Sequence, residues 1–147
     1  MLNREQMAKA IEYREKTNKF MTKNGIHVKD AGYQYSVISA VVDESLLNSN
    51  GTAHGGLLVT MADVALGTAC MYLGEKTVTS DISYRYLSAA KVGDLITAKA
   101  NVAKEGKKMI VAEVKLYVGD RLIGTADGTM FRIGETIDFA EELAKLG

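Results

Sequence analysis

The sequence predicts an α+β domain in which one long apolar helix lies against an antiparallel sheet of about five strands. Three observations support this. Residues His54 to Gly74 (HGGLLVTMADVALGTACMYLG) carry a single charged side chain, Asp63, and their length and Ala, Leu and Met content favour a helix over a strand. Five other segments are rich in β-branched and aromatic residues, some with clear alternation. Their connections are short and contain glycine, which implies antiparallel neighbours. A sheet of this kind must cover its inner face with something apolar, and the central helix is the natural candidate.

In chain order, residues from about Asn3 to Lys23 read as a surface helix rich in Glu, Lys, Arg and Ala, with Asn24-Gly25 as its stop. Tyr33 to Asp43 (YQYSVISAVVD) reads as the first strand. Glu44 to Ala53 (ESLLNSNGTA) reads as a loop dense in Asn, Ser, Gly and Thr. After the central helix come Thr77 to Leu87, Asp94 to Lys104, Lys107 to Val118 and Arg121 to Phe131, the last two joined by the turn pair Gly119-Asp120. The alternation in Thr77 to Leu87 sets Val78, Ile82, Tyr84 and Tyr86 on one face and Thr79, Asp81, Ser83 and Arg85 on the other. A short acidic helix from about Thr136 to Leu146 closes the chain. The 147 residues fit a single domain, 1–147, with a core from about 31 to 132.

Composition narrows the function classes. Hydrophobic residues make up 47% of the chain, enough for a real core, and the formal net charge is zero, so no basic footprint of a nucleic-acid binder is present. The single cysteine, Cys70, excludes an intrachain disulfide and favours a reducing compartment. The charged N-terminal segment lacks the apolar run of a secretory signal, and a cytoplasmic location is expected. The central stretch is nearly long enough to span a membrane, but its four glycines, its central Asp63 and the alternating strands around it argue for a soluble fold. No membrane or nucleic-acid partner is expected. Two separated histidines and one cysteine make no zinc set, so no metal is expected.

Two features of the central helix bear on chemistry. Gly55 and Gly56 follow His54 directly at its start, where the first backbone N–H groups have no intrahelical partner and the helix dipole adds partial positive charge. Residues without Cβ let a ligand approach that backbone, which suits a carbonyl-polarising site; equally, they suit a tight loop-to-helix junction. Asp63 is the second. Burial of a carboxylate is costly unless it is bonded, so Asp63 reads either as a structural anchor or as a general base or nucleophile whose pKa burial raises. Eight residues separate Gly55 from Asp63, about 12 Å along a helix axis, too far for both to act on one carbonyl. If both act, two central helices must lie side by side and antiparallel, the Gly55 N–H of one chain facing Asp63 of the other. Asn48 reads as a substrate-holding or a turn residue, His54 as a loop-orienting or substrate-touching one, His27 as a surface residue and Cys70 as a small core residue.

The arrangement Asn48-x5-His54-Gly55-Gly56-x6-Asp63 resembles the motif of hotdog-fold acyl-CoA thioesterases, most closely their phenylacetate-degradation (PaaI-like) branch. The resemblance runs from about Tyr33 to Arg132 and includes Tyr86-Leu87-Ser88-Ala89-Ala90 before Gly93-Asp94, with Ala89 where the family often has proline. It implies a sheet wrapped around the helix, self-association as a homodimer and further as a homotetramer, and active sites across the dimer interface. Carried over, the Gly55 N–H polarises the thioester carbonyl. Asp63 of the partner chain acts as general base or nucleophile, and Asn48 and His54 position substrate, water or loop. Thr79 orients the attacking water, with Ser80 as its neighbour. Coenzyme A, a part of the substrate and not a resident cofactor, is expected along Tyr86 to Lys91 and Lys104 to Met109, with Tyr86, Ser88, Lys91, Lys104, Gly106 and Lys107 as contacts and Arg85 and Arg132 nearby. The expected reaction is hydrolysis of an acyl-CoA to a carboxylic acid and free coenzyme A. The rivals are a non-catalytic acyl-CoA binder, which has no need of Asp63, a dehydratase of the same fold, whose proline-rich histidine signature is absent, and a structural protein in which Asp63 fixes helix register.

Overall fold

A computed structural model describes all residues 1–147. Helix α1, Arg4–Thr17, begins with a reciprocal cap: Asn3 Oδ1 accepts from the Gln6 N–H at 2.8 Å, and Gln6 Oε1 accepts from the Asn3 N–H at 2.9 Å. The single helix expected to Lys23 is broken. Asn18 leaves the helical region (φ −81°, ψ 83°), and its Oδ1 accepts from the Met21 N–H to start a second short helix, α2, Lys19–Lys23. Asparagine competes with the helix backbone in this way because its side chain is a ready local acceptor.

The sheet has six strands, not five. The additional strand, β1, His27–Gly32 (HVKDAG), lies outside the strand pattern read from sequence because only Val28 and Ala31 are buried and a register shift between Val28 and Asp30 breaks the alternation. His27 stands half-exposed at its start and contacts Glu15 at 3.1 Å. Strand β2 is Tyr35–Val41. After a 3₁₀ turn at Glu44–Leu46 comes the central helix α3, Gly55–Ala69, then a 3₁₀ turn at Met71–Leu73. Strands β3 (Glu75–Tyr86), β4 (Leu95–Glu105), β5 (Met109–Val118) and β6 (Arg121–Thr136) and helix α4 (Phe139–Lys145) complete the chain. All pairings are antiparallel, in the order β1-β2-β4-β5-β6-β3.

The inner face of the sheet curves around α3, and small residues there, Ala98, Ala100, Ala112 and Ala126, let the helix sit close. Ser36 on β2 donates to the Ala65 carbonyl at 2.7 Å, both buried, which fixes the helix along its axis. Gly128 of β6 packs directly under the helix, where an added Cβ would lie 2.6 Å from Leu66 Cδ1 and 2.9 Å from the Asp81 carbonyl oxygen. Gly128→Ala is therefore expected to cost about 1–3 kcal/mol through overpacking. A fall of several degrees in melting temperature checks it, and an unchanged melting temperature contradicts the contact. The 19-residue stretch Gly55–Leu73 is long and apolar enough to cross a membrane by composition alone, but 72% of its most apolar window is buried inside this fold.

Ten of the fifteen α3 residues are buried. The less buried ones that share one stripe are Gly56, Val59, Thr60 and Asp63, spaced three to four apart. The rest of the chain thus covers the helix on all sides but one. Beside that open stripe lies β3, paired with β6 on one side only and so a free edge twelve residues long and mostly exposed.

Candidate active site

At the start of α3, His54 is the N-cap. Its Nδ1 accepts from the Gly56 N–H at 2.8 Å, and its carbonyl accepts from the Leu57 N–H at 3.0 Å. An Nδ1 used as acceptor places the proton of the neutral ring on Nε2. The Gly55 N–H donates to nothing within the chain, so the helix begins with one unpaired donor at its positive end. The Gly55 carbonyl accepts from the Tyr86 hydroxyl at 3.0 Å, and the Tyr86 ring lies 3.1 Å from where a Gly55 Cβ would stand. Tyr86 is thereby placed at the helix start.

Asp63 differs from the sequence expectation in one respect. It is not deeply buried within one chain but half-buried on the open stripe of α3. Its side-chain partner is Thr79, whose hydroxyl donates to Asp63 Oδ1 at 2.6 Å. The strand alternation read from sequence sets Thr79 opposite Ile82, Tyr84 and Tyr86. In the structure all four share the helix-facing side. Their partners on β6 are Met130, Gly128, Ala126 and Gly124, and the pairing shifts by one residue between Thr79 and Asp81. Ser80 is the extra residue of this bulge, and it turns Thr79 inward while Val78 points away.

The Asn48 side chain bonds within its own loop. Its Oδ1 accepts from the Asn50 and Thr52 N–H groups at 2.9 and 3.1 Å, and its Nδ2 donates to Thr52 Oγ1 at 2.9 Å. It thereby shapes the loop that leads into the helix. Cys70 is buried, and burial raises its pKa to about 11, with Arg14 opposing the shift and Glu105 adding to it. The thiol stays protonated at neutral pH and fits the core reading.

The residues expected to hold coenzyme A fall into two groups. Tyr86, Ser88 and Lys91 gather near the start of α3. Ser88 and the Ala89 carbonyl receive the Arg121 guanidinium, and Lys91 is exposed. Lys104, Gly106 and Lys107 surround the β4–β5 turn, where the Gly106 carbonyl accepts from Arg132 at 3.1 Å and both lysines are exposed. Strand β4 separates the two groups by roughly 34 Å of extended backbone, so one chain does not bring them together. Arg85 pairs with Asp127 at 3.4 Å, and Arg132 with Glu75 at 2.5 Å.

Two cavities of about 340 Å³ flank α3. One lies by its start, against His54, Gly56 and Thr60; the other lies past Asp63, against Gly67, Met71 and Thr77. The second also touches Arg14 of α1, to which the sequence reading gives no role. Its signal was available, since Arg14 continues the stripe of buried Met7 and Ala10 at helical spacing.

Residues 50–125 match the family model described as the Thioesterase superfamily, about half of the chain. A candidate esterase of Pseudomonas aeruginosa is 39% identical over 95 residues, 63% of this chain and 71% of that protein. The acyl-coenzyme A thioesterase PaaI of Escherichia coli is 30% identical over 114 residues, 77% of this chain and 81% of that protein. Its solved structure superimposes with a TM-score of 0.86, covering 90% of this chain and 97% of that one at 25% identity. A hypothetical thioesterase protein of Streptococcus pneumoniae, solved with coenzyme A, superimposes with a TM-score of 0.72 at 31% identity over 76% of this chain and 90% of that one. The same protein has been solved with an aspartate, and separately with a threonine sixteen positions later, replaced by alanine. The chain belongs to the thioesterase superfamily, as a PaaI-like member with the hotdog fold.

Proposed function

We propose that this protein hydrolyses an acyl-CoA thioester to a carboxylic acid and free coenzyme A, at sites shared between two chains. The observation that carries the reading is the pairing of a free Gly55 N–H at the start of α3 with a hydroxyl-bonded carboxylate, Asp63–Thr79, eight residues further along the same helix. The spacing of that Asp and Thr equals the spacing of the two residues replaced in the Streptococcus pneumoniae protein, which supports their joint role.

Two-fold pairing of the free β3 edges supplies the missing geometry. Antiparallel β3 strands set the Tyr86 end of one against the Glu75 end of the other. Gly55, Tyr86, Ser88 and Lys91 of one chain then stand beside Asp63, Thr79 and the Lys104–Lys107 turn of its partner. This joins both halves of the expected coenzyme A surface at one place and covers an edge that a soluble protein does not leave long and bare. In the step itself, the Gly55 N–H donates to the thioester oxygen as negative charge develops there. The partner's Asp63 takes a proton from water as it attacks, or attacks directly to form an anhydride that water then opens; in both cases the thiolate of coenzyme A leaves and is protonated. No metal, redox group or nucleic acid takes part, and a cytoplasmic location is part of the proposal.

The test is thiol release from a panel of aliphatic and aromatic acyl-CoA substrates. Turnover of at least one class is expected. Acyl-CoA binding without thiol release from any of them would favour the rival reading, a binding protein.

A further inference from the structure

Past Asp63 the open stripe of α3 ends at Gly67, where Arg14 closes it. The Arg14 guanidinium lies over the bare helix backbone: an added Gly67 Cβ would stand 2.8 Å from Arg14 Nη2. A mid-helix glycine is unfavourable unless something occupies the space it leaves, and here a cationic side chain does. The Arg14 side chain makes no hydrogen bond and no ion pair in the chain, and its Nε is a buried donor without an acceptor. Other cations that contact the core have partners, as Arg132 has Glu75 and Gly106. Native proteins rarely leave a buried donor of this kind unmet, and a charged one least of all. Burial lowers the pKa of Arg14, and the Asp63 carboxylate acts in the opposite direction. Asp63 is therefore its electrostatic neighbour, yet no ion pair forms between them.

The same guanidinium borders the cavity of about 340 Å³ whose other walls include Tyr13, Met71, Val78, Ile137 and Phe139. That space begins one helical turn beyond Asp63. An acyl group whose carbonyl carbon is attacked at Asp63 extends from there into it. Its charged neighbours Glu75 and Lys76 are paired, with Arg132 and Glu135 respectively, which leaves Arg14 as the one unpaired charge among the apolar and polar groups of its wall.

We infer that Arg14 is a specificity-determining residue and that the preferred substrates are acyl-CoA thioesters whose acyl group carries a distal hydrogen-bond acceptor, a carboxylate foremost. This rests on the hydrolase reading above. A carboxylate can accept two parallel N–H bonds from a guanidinium, and a hydroxyl or carbonyl oxygen can accept one. A plain alkyl end leaves the donor unmet, and a site built to hydrogen-bond its substrate rejects the analogue that lacks the partner.

The experiment uses three six-carbon thioesters that differ only at the far end: hexanoyl-CoA, 6-hydroxyhexanoyl-CoA and adipyl-CoA. The wild-type protein is expected to favour adipyl-CoA over hexanoyl-CoA by about tenfold or more in kcat/KM, with the hydroxy compound between them. Arg14→Met keeps length and apolar bulk and is expected to erase or invert that ratio while sparing hexanoyl-CoA. Gly67→Ala keeps the charge but fills the notch under the guanidinium. It favours the helix, so it should stay folded even if Arg14→Met does not, and it is expected to reduce the ratio several-fold. If hexanoyl-CoA is the best substrate and neither variant moves the ratio, the inference is overturned while hydrolysis stands. If no thioester of any class is cleaved, the hydrolase reading fails and this one falls with it.

Discussion

Asp63→Asn is expected to lower kcat by about 10²–10⁴-fold, the range a positioned general base contributes, while leaving the fold and the assembly intact. Asparagine keeps the shape of the side chain, and its Oδ1 can still accept from Thr79, now 2.6 Å from the carboxylate. What it cannot do is take a proton from water or attack a carbonyl. The stability change should be small, because Asp63 is half-buried and bonded through one hydroxyl; a neutral hydrogen bond there contributes about 0.5–1.5 kcal/mol. The structural rival expects the opposite pattern. If Asp63 serves only to fix helix register, its replacement lowers melting temperature and assembly together, with activity falling in proportion. Thiol release, thermal melting and size-exclusion chromatography on the same preparation separate the two. Activity within twofold of wild type would remove Asp63 from the chemistry.

The catalytic pair illustrates what the sequence discloses and what it hides. Asp63 is legible because it is the single charge in an apolar helix, and Gly55 because it opens that helix beside His54. Their separation along one axis follows from helix geometry alone, so the need for two chains was also legible. Thr79 reads from the pattern only as one of four polar residues on a strand face, and its role came only through the family motif. A strict two-residue period turns it away from the helix, and a single extra residue, Ser80, turns it back. A bulge is a local event in hydrogen-bond register that leaves little trace in a hydrophobic pattern. Strand β1 was hidden for a related reason. As an edge strand with two buried residues and a register shift, it has too few apolar positions to produce a period. The break at Asn18 lies between two segments of similar composition, and its one sign is a side chain able to cap the next turn.

Burial of α3 was legible in outline and not in detail. Its apolar composition implies a helix buried on most sides, as ten of its fifteen residues are, but it does not say that Asp63 stands on the side left open. A single chain encloses only the stripes that face the sheet, and leaves Gly56, Val59, Thr60 and Asp63 uncovered. The composition thus describes the helix in its assembled surroundings, while the structure of one chain shows which part of the cover must come from elsewhere. Arg14 is the converse case. Its helical spacing from Met7 and Ala10 sets it on the inward stripe of α1, but only packing shows that its side-chain donors have nothing to meet.

The shared-site geometry yields the second large effect. Gly55→Pro removes the free N–H without removing the helix, since proline suits the first helical position. Its ring displaces Tyr86, whose ring atoms lie 3.1 Å from the Cβ position and whose side chain is exposed enough to swing aside. Loss of one such donor typically costs about 10²–10³-fold in kcat, so Gly55→Pro and Asp63→Asn are each expected to be nearly inactive alone. When the two variants are co-expressed with different tags and the mixed dimer is isolated, one of its two sites carries both defects. The other joins an intact Gly55 to an intact Asp63, one from each chain. That dimer is expected to recover about half of wild-type activity. If Gly55 and Asp63 instead acted within one chain, every site in the mixed dimer would hold one defect, and activity would stay at the level of the two parents. Recovery therefore requires that the carbonyl-polarising N–H and the base reach one thioester from opposite chains, which is what two antiparallel helices with 12 Å between these groups along each axis dictate.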